Sequence, residues 1–147
     1  MPVVVNAITR PVSASLGVSN LVGIVLVSHS LELARGLADL ASQVAGADVR
    51  IEPAGGAPGG SLGTNGDSVR EAIARADRGD GVVVLADLGS SILTVRHLLE
   101  GKANGHIRLV DAPFVEGAVA AAVMSSAGQS LEDVAKAAED ARGASKF

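Results

Sequence analysis

The feature that most constrains this sequence is an unbroken apolar run over residues 21–27, rich in β-branched side chains. A run that does not alternate with polar residues is typical of a strand buried on both faces of a parallel sheet. It ends in Ser28-His29-Ser30, after which apolar residues recur at Leu33, Leu37, Leu40 and Val44. That helical spacing predicts an amphipathic helix. The pattern therefore places His29 in the turn between a buried strand and the N-terminus of a helix.

The position of His29 suits phosphoryl chemistry. The N-terminus of a helix presents unpaired N–H groups and about half a positive charge. These groups would stabilise a phosphoryl group carried on an imidazole nitrogen. Ser28 and Ser30 would supply further hydroxyl donors, or would simply cap the helix. The plainer alternative is that His29 is an ordinary polar residue at the end of a strand.

A second segment repeats this arrangement of buried strand, polar turn and helix. The apolar residues 82–86 lead into Asp87-Leu88-Gly89-Ser90-Ser91, and apolar residues then recur at helical spacing up to Leu99. Parallel strands end at one edge of a sheet, where open α/β sheets bind their ligands. Asp87 would then orient the ring of His29 through one nitrogen and leave the other free to attack. Ser90 and the backbone at Gly89 would bind phosphoryl oxygens, whereas the alternative for Asp87 is a helix cap.

The remaining segments complete an alternation of strands and helices. Residues 47–51 and 107–110 predict two further strands, and Ser68 and Glu71 have the spacing of a capping box at the start of a helix that ends near Arg78. We predict an alanine-rich helix over 118–127, in the core or at a subunit contact. A last helix, capped by Ser130, ends near Gly143. Glu116 would lie near His29, or would complement the dipole of its own helix.

Residues 53–66 contain six glycines and predict a loop. One interpretation is a phosphate cradle, although the Gly-Lys-Ser/Thr ending of a P-loop is missing. A second is a mobile surface loop. In a third, Gly63 and Thr64 reach back towards the turn that contains His29.

Composition excludes several classes of protein. The 147 residues predict one domain over residues 21–147, preceded by a disordered or loosely attached leader over residues 1–20 or, alternatively, by a short strand at residues 3–5. The net charge of −4 and the 1% aromatic content argue against nucleic-acid binding. No apolar run approaches the roughly 20 residues of a membrane span. The lack of cysteine fits a cytoplasmic protein, and His97 and His106 lack the partners of a metal site.

Four motifs together carry a family resemblance: VSHS at 27–30, GT at 63–64, DLGSS at 87–91 and APFVEG at 112–117. In this order they resemble the DhaM family, the phosphotransferase-system donor subunits of bacterial dihydroxyacetone kinases, over about residues 20–143. The resemblance implies a fold similar to mannose-type enzyme IIA. That fold is α/β, an open, mainly parallel four-stranded sheet with strand order 2-1-3-4 and helices on both faces.

The resemblance also implies a function. His29 matches the histidine that accepts a phosphoryl group from the phosphocarrier HPr and passes it to ADP on the DhaL subunit, in a system whose DhaK subunit holds dihydroxyacetone. Asp87 and Ser90 match the aspartate-glycine-serine turn, and Gly63 and Thr64 match the glycine-threonine pair. We therefore expect Gly63 and Thr64 to bind the phosphoryl group together with Ser28, Ser30, Gly89 and Ser90. Relatives imply a homodimer, with no cofactor or metal on this chain. The alternatives are the enzyme IIA component of a mannose-type permease, a phospho-signalling module, and a small-molecule binding domain that uses residues 55–66.

Overall fold

A computed structural model describes residues 20–101 and 105–147 of the chain. The predicted leader at residues 1–20, with its alternative strand at residues 3–5, lies outside the described residues except for Asn20. In the ranges that are described, no helix is long and apolar enough to cross a membrane.

Four parallel strands form the centre of the fold, as the resemblance implied. They are β1 (Gly23–Ser28), β2 (Ile51–Gly55), β3 (Val82–Ala86) and β4 (Ile107–Leu109). Their order in the sheet is β2-β1-β3-β4. Every residue of β1 and β3 is buried, because these central strands are covered on both faces, which explains why neither sequence alternates. All four strands therefore end at the same edge of the sheet.

Helices cover both faces of the sheet. They are α1 (Leu31–Ala45), α2 (Gly66–Ala76), α3 (Gly89–Leu99), α4 (Phe114–Ser126) and α5 (Leu131–Asp140), with short 3-10 turns at Pro58–Gly60 and Ala141–Gly143. On one face, α1, α4 and α5 pack against side chains such as Ile24 and Leu85. On the other face, α2 and α3 pack against side chains such as Val25 and Val84. The predicted α/β architecture is confirmed.

The buried face of α1 differs from the one that the leucine spacing indicates. The residues that pack on the sheet are Ala34, Leu37, Ala38 and Ala41, whereas Leu33, Leu40 and Val44 are about half exposed. Alanine brings the helix axis close to the sheet, which buries the small residues and leaves three of the four larger ones outside. Of the four predicted apolar positions, only Leu37 lies in the core.

Two predicted boundaries around β2 are wrong. The strand is Ile51–Gly55 rather than 47–51, so it includes the first three residues of the predicted loop. Pro53 is tolerated because β2 is an edge strand. The following helix begins at Gly66, and its N-cap is Asn65, whose side chain accepts a hydrogen bond from the N–H of Asp67. Ser68 therefore lies inside the first turn and does not form the predicted capping box.

The alanine-rich helix α4 begins four residues earlier than predicted. Ala118, Ala121 and Ala122 are buried in the core, and Ser125 donates a hydrogen bond to the carbonyl oxygen of Val22 at the start of the sheet. Small residues thus let α4 lie between α1 and α5 on one face. The cap of α5 is Ser130, as predicted, because its hydroxyl oxygen accepts from the N–H of Asp133.

Candidate active site

His29 lies immediately after β1, at the edge of the sheet where all four strands end. Ser30 is the N-cap of α1, and its hydroxyl oxygen accepts from the N–H of Leu33. The neighbouring strand β3 ends at the same level and is followed by Asp87. The structure brings the two side chains together, with Nδ1 of His29 3.1 Å from Oδ1 of Asp87.

Asp87 is the centre of a hydrogen-bond network. Its Oδ2 accepts from the hydroxyl of Ser28 at 2.8 Å and from the N–H of His29 at 3.1 Å, and its Oδ1 accepts from the N–H of Leu88 at 2.7 Å. Burial raises the pKa of Asp87, but hydrogen bonds from Ser28, from the backbone of His29 and from the side chains of Ser91 and His29 outweigh it and lower the pKa overall. The carboxylate is therefore ionised at neutral pH.

The helix-cap alternative for Asp87 does not describe this geometry. The N-cap of α3 is Leu88, and no side chain makes a capping hydrogen bond there. The side chain of Asp87 instead turns back towards β1, where it contacts residues 58 and 59 positions earlier in the chain. Its side chain is 10% exposed, whereas that of His29 is 26% exposed. The carboxylate thus lies beneath a partly accessible imidazole.

Ser91 is a site residue that the sequence reasoning missed. Its side chain is fully buried, and its Oγ lies 3.1 Å from Nδ1 of His29 and 2.8 Å from Oγ1 of Thr64. The sequence does contain a signal that Ser91 is buried. Ser91 and Val95 are four residues apart and therefore share the buried face of α3. The sequence instead pointed to the neighbouring Ser90, because it lies in the polar turn that follows the buried strand β3.

The outer nitrogen of His29 faces a different environment. Nε2 contacts the hydroxyl of Ser90, in the first turn of α3. Both α1 and α3 begin beside this imidazole, and the first N–H groups of a helix have no carbonyl partner within that helix. Gly89 is the first residue of α3. Two helix N-termini thus direct partial positive charge towards the space in front of Nε2.

The glycine-rich loop is attached to the same turn. The N–H of Gly63 donates to the carbonyl oxygen of His29 at 2.9 Å, and Thr64 reaches Ser91 rather than the imidazole itself. Gly55, at the end of β2, needs to be glycine because a Cβ there would lie 2.0 Å from the carbonyl oxygen of Ser28. Of the three interpretations of the loop, this geometry matches the one in which Gly63 and Thr64 reach back to the turn.

The other residues that the sequence singles out make contacts with groups outside this network. Glu116, in the first turn of α4, forms an ion pair with Lys146 at 2.9 Å. His97 pairs with Glu100 at 3.5 Å on the surface of α3. His106 contacts Asp77 at 2.9 Å. Within residues 20–101 and 105–147, no three His, Cys, Asp or Glu side chains cluster in a way that could hold a metal ion.

Comparisons with known proteins identify the family. The family described as EIIA-man, PTS system fructose IIA component, matches residues 23–135. The chain is 36% identical to the phosphoryl donor subunit DhaM of PEP-dependent dihydroxyacetone kinase 2 from Listeria innocua, over 78% of this chain and 94% of that protein. It is 33% identical to the phosphotransferase subunit DhaM of Lactococcus lactis, over 76% of this chain and 89% of that protein.

One longer relative carries the same name, and one solved structure shares the fold. The DhaM protein of Escherichia coli K12 is 37% identical over 78% of this chain, which spans 25% of that longer protein. A crystal structure of the unknown-function protein EF1359 has a TM-score of 0.74 and 33% identity, covering 86% of this chain and 98% of that one. This chain belongs to the mannose-type enzyme IIA family of the phosphotransferase system and, within it, to the DhaM phosphoryl donor subunits.

Proposed function

We propose that this chain carries a phosphoryl group on Nε2 of His29, which it takes from the phosphohistidine of HPr and gives to ADP bound on DhaL. The observation that carries the proposal is the 3.1 Å contact between Nδ1 of His29 and the ionised Asp87. A carboxylate at Nδ1 favours the tautomer with its proton on that nitrogen, so Nε2 keeps its lone pair. The names of the relatives, phosphoryl donor subunits of PEP-dependent dihydroxyacetone kinase, support the same role.

In the first transfer, the lone pair of Nε2 attacks the phosphorus of the donor's phosphohistidine. A new N–P bond forms as the donor's N–P bond breaks, and the released electron pair returns to the donor imidazole. Asp87 offsets the positive charge that develops on the ring of His29. The hydroxyl of Ser90 and the N–H groups at the starts of α1 and α3 bind the phosphoryl oxygens. Positioning and charge stabilisation supply most of the rate in such a displacement.

In the second transfer, an oxygen of the β-phosphate of ADP attacks the phosphorus. The N–P bond breaks, its electron pair returns to Nε2, and ATP forms on DhaL. That ATP then serves the phosphorylation of dihydroxyacetone on DhaK. The chain needs no cofactor or metal of its own for this exchange, because any Mg²⁺ would accompany ADP on the partner.

Four of the predicted phosphoryl-binding residues make contacts around the proposed site: Ser28, Ser30, Gly63 and Thr64. Ser28 donates to Asp87, and Gly63 donates to the carbonyl oxygen of His29, so both hold the turn in which His29 lies. Ser30 fixes the start of α1 and can still donate its own hydroxyl proton. Thr64 supports Ser91 through their 2.8 Å contact.

Intact-mass analysis tests the proposal. The chain is incubated with phosphoenolpyruvate, enzyme I and HPr, and ADP-loaded DhaL is then added. We expect the mass of one phosphate to be gained and then lost again on addition of DhaL. His29→Ala should gain none, and its circular dichroism should match that of the wild type, because the imidazole is partly exposed.

Two other outcomes would contradict the proposal. A phosphate that ADP-loaded DhaL cannot remove would favour a permease component or a signalling module. Phosphorylation of His29→Ala at the rate of the wild type would contradict the assignment of His29. The homodimer that the family resemblance implies and the cytoplasmic location that the lack of cysteine fits stay predictions.

A further inference from the structure

The side chains of Ser91 and Thr64 add two hydroxyl groups to the hydrogen-bond network of the proposed site, and we call them the hydroxyl pair. Oγ of Ser91 lies 3.1 Å from Nδ1 of His29. Oγ1 of Thr64 lies 2.8 Å from Oγ of Ser91. The glycine-rich loop is thereby connected to the imidazole through a side chain of α3.

The fold holds both members of the hydroxyl pair in place. Ser91 lies in the first turn of α3, and its side chain is fully buried. Thr64 is half-buried, forms an isolated β-bridge with Gly56 and directly precedes Asn65, the N-cap of α2. A buried hydroxyl needs hydrogen-bond partners within the protein, because the loss of its water is otherwise uncompensated.

The protons around Ser91 satisfy all of its contacts in one arrangement. The carboxylate of Asp87 only accepts, so the hydroxyl of Ser91 donates its single proton there. The lone pairs of Ser91 then accept from the hydroxyl of Thr64 and from the N–H at Nδ1 of His29. That N–H is shared between Oγ of Ser91 and Oδ1 of Asp87, each at 3.1 Å, in a three-centre hydrogen bond.

Two acceptors at Nδ1 restrict the imidazole more than one acceptor can. The torsion that rotates the ring of a histidine about its Cβ–Cγ bond is soft, and this side chain is 26% exposed. Asp87 follows β3, whereas Ser91 belongs to α3, so the two hold Nδ1 from different elements. A fixed ring keeps the lone pair of Nε2 in line with an incoming phosphorus atom, and small errors in such alignment slow a transfer strongly.

We infer that Ser91 and Thr64 are positioning residues for the proposed phosphoryl transfer. The hydroxyl of Thr64 fixes the direction of the Ser91 hydroxyl, and Ser91 holds Nδ1 of His29 together with Asp87. This inference rests on the proposed function. It assigns the hydroxyl proton of Thr64 to the network that orients the imidazole, and not to the phosphoryl oxygens.

Kinetics of matched variants at residue 64 test the inference. Thr64→Val keeps the shape of the side chain without its hydroxyl, whereas Thr64→Ser keeps the hydroxyl. Each variant is phosphorylated with phospho-HPr at varied concentration and, separately, with phosphoramidate, a small chemical donor. For Thr64→Val we expect kcat to fall about tenfold with an unchanged KM for phospho-HPr, and the rate from phosphoramidate to fall equally. Thr64→Ser should stay within about twofold of the wild type.

Thr94→Val is the control for the change from threonine to valine. The hydroxyl of Thr94 is exposed on α3 and donates to the carbonyl oxygen of Ser90 in the same helix. Its loss leaves the hydrogen bonds at Nδ1 of His29 intact. We therefore expect wild-type rates from Thr94→Val with both donors.

A double-mutant cycle shows whether Thr64 acts through Ser91. Ser91→Ala removes the hydroxyl that joins Thr64 to Nδ1, so a further change at Thr64 has no route to the imidazole. The variant with both Thr64→Val and Ser91→Ala should therefore be no slower than Ser91→Ala alone. Circular dichroism of all variants checks the fold.

Nuclear magnetic resonance of the unphosphorylated protein provides a readout independent of activity. The chain has three histidines, so the ring nitrogen signals of His29 are identified by their loss in His29→Ala. Thr64→Val should shift these signals before any phosphate is present, and Thr64→Ser should restore them. The signals of His97 and His106 should stay unchanged.

Three results would overturn the inference. Additive losses of rate in the double variant would mean that Thr64 does not act through Ser91. Slower transfer with unchanged ring signals in Thr64→Val would assign Thr64 to the phosphoryl group. Equal losses for Thr64→Ser and Thr64→Val would show that the hydroxyl is not the group that matters.

The proposed function fails separately from this inference. If phosphoramidate phosphorylates the wild type but phospho-HPr does not, the proposed donor is wrong, and the variants are still compared through phosphoramidate. The ring signals require neither donor, so they report on the hydroxyl pair in either case.

Discussion

At the scale of the residue, the site depends on which groups donate to Asp87. Each oxygen of its carboxylate accepts hydrogen bonds, Oδ1 from Leu88 and the imidazole of His29, and Oδ2 from Ser28 and the backbone of His29. All of these groups are donors towards a carboxylate, and an amide has only one oxygen. An asparagine at this position would therefore turn an NH₂ group towards another donor in either orientation.

Asp87→Asn should slow phosphorylation of His29 by roughly 100-fold or more, because the tautomer and the orientation of the ring are lost. The loss should be the same with phospho-HPr and with phosphoramidate, a small donor that needs no protein contact, since it concerns the imidazole itself. Initial rates from intact-mass analysis measure it, and circular dichroism checks the fold. Wild-type rates with both donors would mean that Asp87 only orders the turn.

At the scale of the element, the site requires β2 to lie close against β1. The two strands are in parallel register from Ile24 and Ile51 to Ser28 and Gly55. At the last pair a Cβ on residue 55 would lie 2.0 Å from the carbonyl oxygen of Ser28. A backbone oxygen cannot move away as the end of a flexible side chain can. The close approach holds the glycine-rich loop next to His29.

Gly55→Ala should therefore lower the free energy of unfolding by about 3 kcal/mol, as overpacking against backbone does. Urea unfolding measures the change. Gly36→Ala is the control on α1, where a Cβ meets nothing within 4 Å, and it should raise stability by up to about 1 kcal/mol through helix propensity. Equal stability of Gly55→Ala and the wild type would show that the strands can separate at little cost.

At the scale of the whole molecule, a second contact between a histidine and an aspartate lies at the opposite edge of the sheet. Asp77 follows α2 and accepts from the N–H of Gly79 at 2.9 Å, and it contacts Nε2 of His106, which precedes β4, at 2.9 Å. Burial raises the pKa of Asp77, but the hydrogen bonds from Gly79 and His106 and the charge of His106 outweigh it, so its pKa is lowered overall. The contact joins two connections that lead into neighbouring strands.

A carboxylate whose pKa is lower in the folded state adds stability above its unfolded pKa and loses that contribution as the pH falls through the folded pKa. The free energy of unfolding should therefore decrease with acid below about pH 4. The Asp77→Asn variant should be less stable than the wild type at neutral pH, and its free energy of unfolding should fall less steeply as the pH is lowered. Part of the fall should remain, because the pKa of Asp87 is lowered too. Urea unfolding from pH 7 to pH 3 measures both. The same dependence of the free energy of unfolding on pH in the variant and the wild type would contradict a role for Asp77. Phosphorylation of His29 should be unaffected by the substitution.

The sequence by itself determined the architecture and the central pair of the site. Strands β1 and β3 have unbroken apolar runs because both of their faces are buried, and the polar residue that ends each run marks the edge where ligands bind. Each of these patterns lies within a few neighbouring residues, so the sequence alone indicates both His29 and Asp87. The family motifs then supplied the strand order and the chemistry that the runs alone leave open.

Only the tertiary structure decided which face of α1 is buried, where β2 begins and that Ser91 reaches His29. These outcomes depend on how closely elements approach one another, which periodicity does not encode. Alanines bring α1 close to the sheet and leave Leu33 and Leu40 outside. The pairing of β2 with β1 extends the strand to Gly55. The depth of α3 brings the hydroxyl of Ser91 under the imidazole, because a buried polar side chain finds its partners only once the packing is complete.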